Sequence, residues 1–252
     1  MTLKLNRTSQ SGFTLVELAI VLMIIGLLIG GILRGQELME NARVTSTIQQ
    51  TKAYDGATTT FRDSYNAIPG DIPNPGDRLP NCATGTPCLG AVGTDNGNGL
   101  VGAAVAKDGN INVTTTSENV VFWNHLATAR LISGVNPAGT VAVYGEMLPV
   151  AKIAGGFHIV QIIDGGAGAT EPPVSGLFLV LRNGTASGSI AEEDGTSAVS
   201  PNRAAQFDRK LDDGLPLTGD VLGVGNAINC AGANYIETVE RRDCNLLIRV
   251  QS

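Results

Sequence analysis

From Phe13 to Leu33 the chain reads FTLVELAIVLMIIGLLIGGIL, an apolar run of 21 residues in which Glu17 is the one ionisable side chain. At 1.5 Å per residue this predicts a helix of roughly 32 Å, matching the ~30 Å hydrocarbon core of a bilayer. Beyond it the pattern changes. Val44, Ile48, Thr51, Tyr54, Thr58, Phe61 and Tyr65 recur every three or four positions, no proline lies between residues 34 and 66, and Glu40 with Arg43 and Lys52 with Asp55 stand at helical spacing. One helix is therefore expected over residues 13–66, on the order of 80 Å long, with Pro69 and Gly70 ending it. Its second half carries a stripe suited to packing under a globular domain.

The periodicity stops at residue 67. Residues 67–112 are rich in Gly, Pro, Asn and Asp and read as extended loop. Thr115 with Glu118 suggests a capping box opening a short amphipathic helix, with Val121, Phe122, Leu126 and Leu131 on one face and an end near Gly134. GFHIVQII, GLFLVLRNG and NLLIRV read as strands, and Pro201 opens a further helix through AAQFDRKLDD. The expected fold class is α+β: a long N-terminal membrane-spanning helix, then a head of mainly antiparallel sheet and short helices. The expected organisation is a leader at 1–12, a membrane half of the helix at 13–33, an extramembrane half at 34–66, and the head at 67–252.

Composition narrows the chemistry. Seventeen basic against 23 acidic residues give a net charge of −6, with no Lys/Arg cluster. A nucleic-acid partner is not expected, because such a surface needs a basic footprint. HExxH, GxSxG and the Gly-rich nucleotide signatures are missing, and the two histidines, His125 and His158, stand in unrelated contexts. No catalytic residue, metal or cofactor is expected. TDNGNG invites a calcium reading, but the alternating ligand positions counted from Asp95 fall on Gly97 and Gly99. Cys82, Cys88, Cys230 and Cys244 make an even set suited to an oxidising compartment. Three pairings are possible, and closeness in sequence favours Cys82 with Cys88 and Cys230 with Cys244. Zinc is a poor rival without CxxC spacing.

Glu17 bears most directly on function. A carboxylate inside the apolar run costs about 2.5 to 3.5 kcal/mol on insertion scales, unless it reaches the headgroups from its place near the end. No Lys or Arg between Phe13 and Leu33 can pair with it. Cleavage between Gly12 and Phe13 would supply a cation, since the new α-amino group would lie one helical turn from Glu17. A secretory signal fits less well: the run is too long and no AxA site follows it. No cysteine before Cys82 could carry a lipid.

The string SGFTLVE, with Lys4 and Arg7 upstream and the apolar run downstream, resembles the class III signal of type IV pilins and type II secretion pseudopilins. The resemblance implies that a prepilin peptidase and N-methyltransferase cuts after Gly12 and methylates the Phe13 amine. It also implies that Glu17 neutralises the terminal amine of an adjacent pilin or pseudopilin subunit during assembly. The implied route is a bacterial inner-membrane precursor with a periplasmic head, later drawn into a pilus or a periplasmic pseudopilus. The Cys230–Cys244 pairing resembles the C-terminal disulfide loop of many pilins. Many family members carry proline where this chain has Arg34, so Gly26, Gly30, Gly31 and Gly35 either soften the helix or admit a close neighbour. Three readings follow: a structural filament subunit, a minor or tip subunit whose large head binds a surface or substrate, and a membrane-anchored periplasmic binding protein or enzyme that never polymerises. The third leaves Gly12, Phe13 and Glu17 unexplained.

Overall fold

The computed structural model of the chain describes residues 12–82, 87–90, 97–102, 104–106, 109–163, 174–183, 187–190, 196–226, 228–230 and 232–250. Its elements are α1 (Leu15–Tyr65), α2 (Pro75–Arg78), a 3-10 turn (Pro87–Leu89), β1 (Asn110–Ile111), α3 (Glu118–Thr128), β2 (Gly156–Ile163), β3 (Ser175–Arg182), β4 (Gly188–Ser189), α4 (Pro201–Leu211), β5 (Val221–Gly225) and β6 (Cys244–Arg249). This is the expected α+β arrangement of a long N-terminal helix and an antiparallel head. The chain divides into two units, residues Met1–Ala42 and Arg43–Ser252, and α1 contributes to both.

In the first unit α1 is helical through Gly26, Gly30, Gly31 and Gly35, and no atom lies within 4 Å of where a Cβ would stand at any of the four. Every residue from Leu15 to Leu33 is exposed. Among the described residues α1 is the helix long and apolar enough to cross a membrane.

In the second unit the stripe is buried: Val44, Thr47, Ile48, Thr51, Tyr54, Ala57, Thr58 and Phe61, with Tyr65 half-buried against them. The threonines tolerate burial because their hydroxyls donate to carbonyls one turn back, Thr47 to Arg43 at 2.9 Å, Thr51 to Thr47 at 3.0 Å and Thr58 to Tyr54 at 2.8 Å. Tyr54 stands edge-on to Trp123 of α3 and Phe157 of β2, with centroids 5.1 and 5.4 Å away. Three elements are thereby locked through one ring, each such pair contributing about 0.5–1.5 kcal/mol beyond area burial. Gln50 adds a polar tie, its Nε2 donating to the Val150 carbonyl and its Oε1 accepting the Lys152 N–H.

The helix ends differently from expectation. Asn66, with φ 47°, donates its N–H to the Arg62 carbonyl at 2.7 Å. Asparagine tolerates this left-handed conformation and closes the helix before Pro69 is reached. Gly70 follows at φ 88°, and a Cβ there would lie 2.7 Å from the Glu118 carbonyl oxygen.

The main sheet runs β2-β3-β6-β5, antiparallel throughout. Alternation sorts its side chains. Phe157, Ile159, Leu177, Leu179, Leu181, Val221, Leu246 and Ile248 join the core containing α1, α3 and α4, whereas Val160, Ile162, Phe178, Val180, Leu222, Val224 and Leu247 join a second core with Ile111 and Ile190. Burial on both faces explains why these strands read as continuous apolar runs. Both outer margins of the sheet are also occupied in part. On β2, Val105 donates to Gln161 and accepts from Ile163, and Phe157 donates to Pro149; on β5, Gly223 donates to Pro216. Paired positions on an edge leave a foreign strand less to bond to.

Several boundaries shift. The 67–112 stretch holds α2, the 3-10 turn and β1. α3 starts after Ser117, not Thr115, and has no side-chain cap hydrogen bond. Ser117 instead bonds Thr114, and Glu118 is drawn away to the Gly102 N–H at 2.6 Å. α3 also ends at Thr128 rather than near Gly134, with Arg130 at φ 58° turning the chain.

Candidate processing and assembly site

Gly12, Phe13 and Thr14 precede α1 as non-helical backbone. The Thr14 carbonyl accepts the Leu18 N–H at 3.2 Å, the first bond of the helix. The Thr14 hydroxyl oxygen accepts the Glu17 N–H at 3.3 Å, and Glu17 Oε2 accepts both the Thr14 N–H and the Thr14 hydroxyl, each at 2.9 Å. This is a capping box, the S/T-x-x-E pattern that satisfies orphan donors at a helix start. The sequence TLVE contains it in plain form. Glu17 thus has a hydrogen-bonding partner within its own chain. The apolar run closes at Arg34, whose guanidinium pairs with Glu37 at 3.1 Å one turn on. Lys4 and Arg7 of the expected leader lie outside the described residues.

The four cysteines form two separate bridges. Cys82–Cys88 spans a sequence separation of 6 and Cys230–Cys244 one of 14. All four are buried, and the second bridge ties β6 to the turn after β5.

The histidines are structural. His125 Nδ1 accepts the Gly70 N–H at 2.9 Å, so the proton sits on Nε2, which donates to the Cys88 carbonyl at 2.8 Å. The ring lies parallel to Phe61 at 6.2 Å, and burial pushes it down to about 4. His158 meets the Tyr144 hydroxyl at 2.7 Å. Burial, helped by the Arg182 charge, pushes it down to about 3. Both rings are neutral at physiological pH.

Acidic groups in the head serve loops. The Asp71 carboxylate accepts the N–H groups of Gly97, of Asn98 at 3.0 Å and of Gly99 at 2.7 Å. The described part of TDNGNG therefore wraps an anion with its amides; Asp95, on which the calcium reading was counted, lies outside the described residues. Sequence reasoning also missed Asp208, Asp212 and Asp213, whose carboxylates converge within 4.8 Å. Their oxygens are engaged: Asp208 accepts from Gly214 N–H at 3.1 Å and from the Tyr235 hydroxyl at 3.0 Å, Asp213 from Leu215 N–H at 2.8 Å and from the Thr218 hydroxyl, and Asp212 from Asp220 N–H. The repeated Asp and Gly around the single Pro216 of DDGLPLTGD were the available signal for this pinned loop.

An exposed, membrane-length apolar helix opening on a capped Thr-x-x-Glu turn, in a chain with a disulfide-bonded α+β head, fits a membrane-anchored precursor. Residues 7–33 match the family model described as the prokaryotic N-terminal methylation motif, the type IV pilin and pseudopilin signature. The match takes in the junction at Gly12 and the apolar half of α1, and none of the head. Neither the curated proteins nor the solved structures yield a match to this chain.

Proposed function

We propose that the chain is a structural subunit of a type IV pilus or type II secretion pseudopilus. A prepilin peptidase on the cytoplasmic side cuts between Gly12 and Phe13, the Phe13 amine is N-methylated, and the mature chain assembles through α1 with Glu17 facing the amine of an adjacent subunit. The observation that carries this reading is the methylation motif at residues 7–33 lying on a helix whose residues from Leu15 to Leu33 are all exposed. So much uncovered apolar surface needs lipid or sister helices around it. The capping box does not compete with this role. A carboxylate has about four lone-pair sites, and only Oε2 is used by Thr14.

N-terminal sequencing and intact mass of the native protein test the reading. The expected result is a chain beginning at methylated Phe13, with Gly12→Leu leaving uncut precursor in the membrane. Glu17→Ala is expected to abolish or sharply reduce filament yield. A native chain that begins at Met1, or Glu17→Ala filaments at full yield, counts against the proposal.

A further inference from the structure

The capping box acts on a bond outside the helix it starts. If α1 extended one turn upstream, the Thr14 N–H would pass to the carbonyl of residue 10 and the Gly12 carbonyl would accept from residue 16. Neither happens. The Thr14 N–H is committed to Glu17 Oε2, and the Thr14 carbonyl takes the first helical bond. Gly12 and Phe13 remain outside the helix. Phe13 is 87% exposed, and nothing approaches within 4 Å of a Cβ built on Gly12.

Resting on the reading that the chain is cut between Gly12 and Phe13, we propose that Thr14 is a positioning residue for that cut, its capping box with Glu17 holding the scissile peptide in accessible, non-helical backbone. In hydrolysis, water adds its oxygen to the Gly12 carbonyl carbon, the C–N bond breaks, and a proton goes to the Phe13 nitrogen. Attack requires a carbonyl that is not enclosed in a helical turn. Without the cap, first-turn N–H groups in apolar surroundings lack acceptors. The helix start then moves to Ser11, the nearest upstream residue of a capping type, and takes the Gly12–Phe13 bond into the first turn.

The test follows the rate of precursor loss in membranes carrying the full-length chain and its peptidase, read by mass at the N-terminus. Thr14→Val, which keeps the shape and the backbone N–H but removes both hydroxyl bonds of the cap, is expected to slow cutting roughly fivefold. Thr14→Ser and Thr14→Asn both cap, and both are expected to stay within about twofold of the parent. A Thr14→Val rate equal to the parent's overturns the inference. So does rescue by Ser but not Asn, which would mean that the peptidase reads the hydroxyl itself. Failure of the underlying reading is distinguishable, because then the unsubstituted chain is not cut between Gly12 and Phe13 at all.

Discussion

His125 and Gly70, 55 residues apart in sequence, are joined by a hydrogen bond from the Gly70 N–H to the imidazole Nδ1 at 2.9 Å. The other ring nitrogen donates to the carbonyl of Cys88. One buried ring thus clips the turn after α1 to the first disulfide loop, and it does so only while neutral.

That clip predicts an acid limit for the head. The folded-state value of about 4 lies below the ordinary 6.5, so the unfolded chain binds a proton that the folded chain refuses. The contribution is whole above about pH 6.5 and is lost as the pH falls through about 4. It is on the order of 3 kcal/mol, and His158 adds to it over the same descent. Urea unfolding at pH 7.5 and 4.5 checks this. His125→Leu is expected to cost about 2–3 kcal/mol at pH 7.5 by leaving Gly70 N–H and Cys88 C=O unpaired, and to lose less than the parent on acidification.

Asp208 works in the opposite sense. Burial pushes its carboxyl up to about 6, with the Gly214 N–H and the Tyr235 hydroxyl pulling back and the Asp213 and Asp212 charges adding to the rise. A raised carboxyl burdens the folded state above about pH 6 and relieves it as the pH falls toward 3.8. Asp208→Asn keeps an acceptor for Gly214 and is expected to stabilise the head by about 1 kcal/mol at pH 7.5, with the gain gone at pH 4. Thermal melts at the two pH values decide it.

The two halves of α1 should respond differently to truncation of an apolar side chain. Phe61 is fully buried, and Phe61→Ala is expected to cost about 3–5 kcal/mol in head stability. Leu22 is exposed, and Leu22→Ala is expected to change the same melt in detergent by less than ~0.5 kcal/mol. A head melt as sensitive to Leu22 as to Phe61 would contradict the division at Arg43.

The bridges should rank by loop size. Counting both cysteines, Cys230–Cys244 closes 15 residues and Cys82–Cys88 closes 7. The chain-entropy relation gives about 3 and about 2.4 kcal/mol. Paired Ser substitutions at 230 and 244 are therefore expected to lower the urea midpoint more than those at 82 and 88.

What the sequence made legible was carried by local periodicity. The stripe from Val44 to Phe61 and the apolar run before it follow from spacing alone, and three strands announced themselves as apolar runs, two of them bounded by glycines. β5 did not, because VLGVG contains the glycines that strands disfavour. Gly223 is there because a Cβ would lie 2.7 Å from the Cys230 carbonyl oxygen, a tertiary reason invisible in the local string. β1 and β4 are two residues each and carry no period. The α3 boundary failed because Glu118 serves Gly102 rather than its own helix start. At the processing site, Gly12, Phe13 and Glu17 were readable as a motif. Thr14 was equally readable as a cap, three residues before Glu17 in TLVE.

The occupied margins of the main sheet bear on how densely this head can be packed. With Phe157, Gln161 and Ile163 of β2 and Gly223 of β5 already bonded on their outer sides, a neighbouring head finds a shortened ladder to stitch into cross-β.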